Sequence, residues 1–357
     1  MKKSTGKRGL VTMRDVAEAT GFSPATVSIV LNNAPLARYI ASTTRKRIEE
    51  TAKRLGYRPN AMARFLRSKR SQSIGVILFD VTDPFCTPIL RGIENALYPL
   101  DYLPIFADAQ NQRDRFERYL EMLLERHVDG LIVVANWLLV DIEVLADLNK
   151  REIPAATIGW KLPGDRIISS VMVDNEAGSR LAMEHLYQLG HRDMAIIRGP
   201  KRLIDSAPRW HGIQKFAQAA GLKLDPALAL TLPEVFDPNS GFENGYRLTE
   251  EFLAKKKKFT ALLAFDDLTA LGAIRALTKA GIKVPEQCSV VGFDDIALSA
   301  LSAPALTTVR QPLETMGSTA VNIVMDAIKA GRENREGTAV SQKLHPELVI
   351  RESTRGI

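Results

Sequence analysis

Cysteine is scarce: Cys86 and Cys288 are the only two in 357 residues, and both lie in apolar surroundings. They read as reduced, buried thiols, which suits the cytoplasm. Long apolar runs are missing as well, and nothing approaches the roughly 18 residues of a membrane span. The basic opening MKKSTGKRGLVTMRD lacks the apolar stretch of a secretion signal, so a cytoplasmic chain without membrane association is expected. Catalytic signatures are absent too. No strand-like run is followed by GxGxxG, and GxxxxGK(S/T), GxSxG, HExxH and CxxC do not occur. Cradles for dinucleotides and triphosphates therefore lack their glycines, and the usual nucleophile and zinc signatures are missing. His127, His185, His191, His211 and His345 show no ligand spacing. No enzyme, metal or cofactor is expected. His191 in LGHRD reads as a structural histidine at a helix terminus, and the lysines at 255–258 as the solvated end of a helix.

Charge is present but unevenly placed. Residues 1–70 hold sixteen Lys or Arg against Asp15, Glu18, Glu49 and Glu50, a net of +12. The whole chain carries only +7, so residues 71–357 carry −5. A local basic segment attached to an acidic remainder has the organisation of a nucleic-acid-binding module on a second domain.

Within the basic segment, DVAEATGFSPATVSIVL at 15–31 contains two short helical patterns separated by GFSP. Gly21 can take the left-handed conformation that ends a helix. Ser23 can cap the next helix, and Pro24 at its first position gives up only an amide that would be orphaned anyway. Val16, Ala17 and Thr20 share one face, and Val27, Val30 and Leu31 another. Two helices so joined form a helix-turn-helix; an ordinary helical hairpin in a larger core is the alternative. RKRIEETAKRL supplies a third helix with Ile48, Ala52 and Leu55 inward, ending at Gly56.

From residue 73, β-branched runs alternate with amphipathic stretches. SIGVILFD, LPIFAD, VDGLIVVA and PAATIG are separated by helical patterns at 87–99, 113–126 and 140–150. SVMVD, DMAIIRG, LALTL, ALLAFD and SVVGFD come next, with helices at 177–189, 209–221, 240–256 and 267–280. Such alternation means parallel sheets covered on both faces. So many units exceed one comfortable sheet, which predicts two α/β lobes with a ligand cleft between them.

These residues resemble the lactose-repressor (LacI/GalR) family of bacterial transcription regulators. The match is carried by VTMRDVAEATGFSPATVSIVLNN, by YRPNAMARFLRSKRSQSIGVI, and by VDGLIVV, LGHRDMAIIRGP, FDDLTALGAIRAL, VPEQCSVVGFDD and PALTTVRQP. The resemblance implies an α/β architecture: a three-helix, helix-turn-helix DNA-binding domain (1–57), a hinge helix and linker (58–72), and a two-lobed domain with parallel sheets (73–357). That last part is expected to resemble type I periplasmic binding proteins, to bind the effector and to dimerise.

The implied partners are double-stranded DNA at a palindromic operator, a small effector and a second copy of the chain, with a tetramer left open. By the same resemblance the second helix enters the major groove. Its DNA-contacting positions are Ser23, Pro24, Ala25, Thr26, Ser28, Ile29 and Asn32. Pro24, Ala25 and Ile29 stand where better-known members carry polar or basic groups, so direct readout must be apolar; Ile29 is alternatively a core residue. Arg58, Asn60, Ala63 and Leu66 belong to the hinge, with Leu66 as a minor-groove wedge; a plain flexible linker is the alternative. NNAPLARYIASTT is about three residues longer than in well-known members, and Arg38 and Tyr39 are placed to add a backbone contact.

The positions matching the effector site are Asp83, Phe85, Trp160, Arg209, Phe236, Asp266, Asp294 and Gln311. Carboxylates and an arginine give directional hydrogen bonds to hydroxyls, and two phenylalanines offer stacking, so a carbohydrate is expected. A purine- or nucleoside-responsive corepressor-type regulator is the alternative. Against it stand Leu203 and Asp205, where purine-binding members have other polar groups. A solute-binding protein without DNA function is the remaining competitor. Asp266 or Asp267 as a helix cap and Asp294 or Asp295 as a turn residue are the plainer readings of those positions.

Overall fold

The computed structural model describes residues 11–58, 70–134, 153–160, 168–234, 237, 240–333 and 339–357. The chain divides into two compact units, one up to Ser71 and one from Gln72 onward.

The described residues of the first unit form a three-helix cluster. Helix α1 (Met13–Thr20) opens on a capping box: Thr12 Oγ1 accepts the Asp15 amide, and Asp15 accepts the Thr12 amide at 2.6 Å. Gly21 ends it at φ +74°, where a side chain would be strained. Ser23 Oγ accepts the Thr26 amide at 3.1 Å and Pro24 occupies the first position of α2 (Pro24–Leu31). A short 3₁₀ turn over Pro35–Tyr39 leads to α3 (Ser42–Leu55). Val16, Ala17, Val27, Val30, Ile48 and Ala52 form the core between the helices.

The described residues of the second unit form two six-stranded sheets. The first comprises β1 (Ser73–Leu78), β2 (Leu103–Asp108), β3 (Gly130–Val134), β4 (Ala155–Ile158), β5 (Ser169–Val173) and β11 (Ser341–Leu344), in the order β11-β5-β4-β3-β1-β2, all parallel. The second comprises β6 (Met194–Arg198), β7 (Ala229–Thr231), β8 (Ala261–Leu263), β9 (Ser289–Asp294), β10 (Thr307–Arg310) and β12 (Glu347–Val349), in the order β12-β10-β9-β8-β6-β7. Only β12 runs antiparallel to its neighbour. Helices α4 (Cys86–Leu97), α5 (Arg113–Glu125) and α11 (Leu313–Arg332) accompany the first sheet. Helices α6 (Asn175–Gln188), α7 (Ser206–Ala219), α8 (Gly241–Ala254), α9 (Asp267–Lys279) and α10 (Ala297–Leu301) accompany the second.

Burial on both faces explains the unbroken apolar strands. Ile74, Val76 and Leu78 pack with Ile89, Ile93 and Val321 on one side, while the intervening Ile77 packs with Phe116, Leu120 and Val133 on the other. The chain passes between the lobes three times, after β5, after β10 and between β11 and β12, because β11 and β12 join different sheets. These crossings are tied together: Lys343 pairs with Asp174 at 3.4 Å and Arg310 with Glu347 at 2.9 Å. Gly178 on α6 leaves space for the Phe293 ring, which a Cβ would meet at 2.7 Å. The helix expected at 140–150 lies outside the described residues, whereas α11, β10, β11 and β12 extend the expected series. No helix among the described residues is long and apolar enough to cross a membrane.

Candidate nucleic-acid interface and central cleft

On α2, Pro24 and Ala25 are exposed, and Thr26, Ser28, Ile29 and Asn32 are half-buried. Ile29 does not belong to the apolar cluster that takes in its neighbours Val27 and Val30. Ser23 is committed to capping, with its Oγ also 2.9 Å from Thr26 Oγ1. Asn32 Nδ2 donates back to the Ser28 carbonyl at 2.7 Å and closes the helix end. Leu36 and Tyr39 are exposed on the 3₁₀ turn, and the Arg38 guanidinium lies 4.7 Å over the Tyr39 ring. Arg58 is exposed. Asn60, Ala63 and Leu66 lie outside the described residues.

Between the two lobes of the second unit is a cavity of about 180 Å³. The first lobe contributes Asp83 and Phe85 at the start of α4. The second contributes Arg209 from α7, Asp266 before α9 and Asp294 at the end of β9. Five positions from four separate stretches of the sequence therefore meet around one space. Two of the other expected positions, Trp160 and Gln311, are not among its described lining residues. Trp160 is buried with Ile77, Phe116 and Ile168 beneath the first sheet, and its carbonyl accepts the Thr157 hydroxyl. Gln311 sits behind Asp294 and donates to its Oδ1 at 2.6 Å. Phe236 lies outside the described residues.

Arg209 is 6% exposed. Its Nε donates to Asn175 Oδ1 at 2.8 Å, its Nη1 to the Phe265 carbonyl at 2.6 Å, and its Nη2 to Asp294 Oδ1 at 3.3 Å. The guanidinium stacks on Phe293 at 3.7 Å and Phe265 at 4.5 Å. Asn175 Nδ2 donates in turn to Asp205 at 2.7 Å. A continuous chain thus runs Asp205–Asn175–Arg209–Asp294–Gln311, from the first crossing between the lobes to the second. Asn175 and Phe293 were not singled out from sequence, since no local spacing links them to Arg209.

Burial dominates the electrostatics of this space. It pushes the Asp83 carboxyl up to about 7, with Asp266 and Asp80 adding like-charge repulsion and the Phe85 amide opposing. It also raises Asp205 and, well above the usual carboxylate range, Asp294; Arg209 pulls both the other way. Asp294 and Asp295 hold the left-handed backbone at φ +113° and +60°. Asp267 secures the turn into α10: its Oδ2 accepts the Ile296 amide at 2.9 Å and the Ser299 hydroxyl at 2.7 Å. Asp295 is held by Arg310 and Arg351. Backbone strain next to a cleft is the pattern expected of a functional site.

Comparison with known proteins is decisive at the family level. The profile described as "Bacterial regulatory proteins, lacI family" matches residues 12–60, and "Periplasmic binding protein-like domain" matches residues 183–354. The HTH-type transcriptional repressor PurR of Aliivibrio salmonicida is 32% identical over 345 residues, 96% of this chain and 99% of that protein. The chain belongs to the lacI family of bacterial regulatory proteins. PurR of Haemophilus influenzae is 33% identical over 352 residues, 98% of this chain and 100% of the relative. Among solved structures, the lac repressor dimer bound to operator and the anti-inducer ONPF superimposes with a TM-score of 0.80 at 28% identity, covering 97% of this chain and 100% of that one. The transcriptional regulator CelR–cellobiose complex gives 0.70 at 27% identity, covering 96% and 99%. This lacI-family regulator thus has the helix-turn-helix and two-lobed architecture expected from its sequence, and its curated relatives are transcriptional repressors.

Proposed function

We propose that the chain is a homodimeric repressor that binds a palindromic operator through residues 1–57 and a hinge at 58–72. Its operator affinity is controlled by a small effector held between the lobes of 73–357. Five family-matching positions from both lobes around one cavity carry this reading: a molecule touching Asp83 and Phe85 on one side and Arg209, Asp266 and Asp294 on the other biases the lobe arrangement. Effector and operator are then linked reciprocally, with a coupling of about 1–3 kcal/mol. Exposed apolar residues on the edge strand β2, Leu103 and Phe106, with Tyr98 just before it and Leu298 and Leu301 on α10, support dimerisation.

For the effector, a purine has the stronger support, from repressors named PurR at 32–33% identity over nearly the full chain. Asp205, weighed above against a purine, lines the cavity and is itself an acceptor for N–H donors. A carbohydrate is the second reading, supported by the cellobiose in the CelR complex and by carboxylates suited to hydroxyls. A thermal-shift screen of the full chain against hypoxanthine, guanine, ribose, glucose and cellobiose separates them, followed by operator titrations with whichever compound binds. Stabilisation by a purine with altered operator affinity supports the first reading; the same result with a sugar alone overturns it in favour of the second.

A further inference from the structure

From Ala19 to Ala37, a span that takes in the whole of α2, the chain carries no charged side chain. Two of the commonest ways to tell one base pair from another in the major groove need one. Arginine or lysine binds guanine O6 and N7, and a carboxylate accepts from cytosine N4. Neither contact can come from this helix.

The polar side chains of α2 and its cap are engaged locally. Ser23 Oγ accepts the Thr26 amide at 3.1 Å and lies 2.9 Å from Thr26 Oγ1. Asn32 Nδ2 donates to Ser28 twice, to its carbonyl at 2.7 Å and to its Oγ at 3.1 Å. Pro24 and Ala25, by contrast, are exposed. Ile29 follows Ala25 by four residues, which puts the two on one side of the helix, and it is only half-buried.

Pro24, Ala25 and Ile29 offer a base edge nothing but apolar surface. The apolar feature that a base pair presents in the major groove is the methyl group on C5 of thymine. 5-Methylcytosine carries the same methyl on the same ring atom. It differs from thymine at C4, where an amino donor replaces the carbonyl acceptor. Telling the two apart takes a hydrogen-bonding partner at that edge, and these three side chains have none.

We infer that α2 recognises the 5-methyl group of a pyrimidine rather than thymine as such, so that 5-methylcytosine serves in its place. Methylation of a contacted operator cytosine then raises the affinity of this regulator. The inference rests on the DNA-binding reading above and adds a second input to it. The effector acts through the cleft, and the methylation state of the DNA acts through α2. The partner is double-stranded DNA carrying the product of a cytosine C5-methyltransferase.

The test presents two random duplex libraries to the purified full-length chain, followed by selection and sequencing. One library has ordinary bases. In the other, uracil replaces thymine and 5-methylcytosine replaces cytosine, which moves every methyl group from one pyrimidine to the other. Sites from the second library are expected to carry 5-methylcytosine where sites from the first carry thymine. Anisotropy titration then compares cytosine with 5-methylcytosine at one such position. The methylated duplex is expected to bind about fourfold tighter, the worth of one buried methyl. Uracil retained at the thymine positions of the second library overturns the inference, and so does equal affinity for the two duplexes. A site enriched from the ordinary library alone also overturns it and leaves the DNA-binding reading standing. No site from either library defeats both.

Discussion

Asn175 and Arg209 are 34 residues apart in the chain, yet Asn175 Oδ1 accepts the Arg209 Nε–H at 2.8 Å inside the protein. Asn175 is the first residue of α6, directly after the chain leaves the first sheet, and Arg209 is on the wall of the cavity. Through Asp294 the same network reaches Gln311, where the chain returns to the first lobe. The charged wall of the cleft and two of the three crossings are one hydrogen-bonded unit, so a molecule that displaces Arg209 or Asp294 also disturbs the segments that join the lobes.

Arg209→Ala leaves the buried Asp294 and Asn175 without their shared partner, a change that typically costs about 2–5 kcal/mol at a desolvated charge pair. Effector affinity is expected to fall about 30-fold or more, while operator affinity without effector stays near wild type. Asn175→Ala, which touches no cavity surface, is expected to show a smaller loss, on the order of 1–3 kcal/mol from two unmade hydrogen bonds. Calorimetric titration of both variants checks the order. An effector affinity unchanged in Arg209→Ala removes this residue from the site.

DNA binding should be steeply salt-dependent, since the +12 segment neutralises phosphates and log affinity falls by about 0.9 per contact with log salt. Specificity, by contrast, is proposed to rest on apolar contacts of Pro24, Ala25 and Ile29 with thymine methyls. Replacing a contacted thymine by uracil removes one methyl, worth about 0.8 kcal/mol or fourfold in affinity. Ile29→Ala should lose that sensitivity and keep the wild-type salt slope. Anisotropy titrations on the two duplexes measure both; equal uracil sensitivity in wild type and Ile29→Ala argues against apolar readout at this position.

The proposed hinge can be tested in the same assay. Fewer than three turns of helix with Arg58, Arg64, Arg67, Lys69 and Arg70 close together are unstable alone, so the segment is proposed to order on DNA and to insert Leu66 at the operator centre. Flexible pyrimidine–purine steps lower the cost of the kink, which places a CG, CA or TA step there. Leu66→Ala is expected to weaken specific binding and reduce bending while leaving non-specific binding nearly unchanged. Equal losses on specific and random DNA would mean that the segment is only a tether.

Asp267 gives the stability a pH signature. Burial raises its carboxyl to about 7, against the donated hydrogen bonds of Ser299, Thr308 and Ile296. The folded state therefore holds a proton that the unfolded chain releases above its ordinary value of 3.8, so this group's contribution to stability declines as pH rises from about 4 to about 7. Asp267→Asn removes the titration. Denaturant unfolding at several pH values should show a flatter profile for the variant across that window, whatever its absolute stability; parallel profiles would contradict the assignment.

The helix-turn-helix was legible because its determinants are local. A glycine stop, a serine cap and a first-position proline act over three or four residues, and the structure places each one as its chemistry requires. The alternation of apolar strands and helices was legible for a related reason: strands buried on both faces cannot hide their composition. The short terminal strands β11 and β12 escaped notice because they are partly exposed at sheet edges and carry no such pattern.

The cleft divides differently. Sequence, through its resemblance to a family, determined that Asp83, Phe85, Arg209, Asp266 and Asp294 belong together. Only the tertiary structure decided that Trp160 turns into the core beneath the first sheet, that Gln311 stands behind Asp294, and that Asn175 links Asp205 to Arg209. Which face of a sheet a loop residue takes, and which buried donor meets which acceptor, depend on how three separate crossings bring distant segments together. Burial then makes those meetings matter, because a polar group removed from water must find its partner wherever the fold has put one.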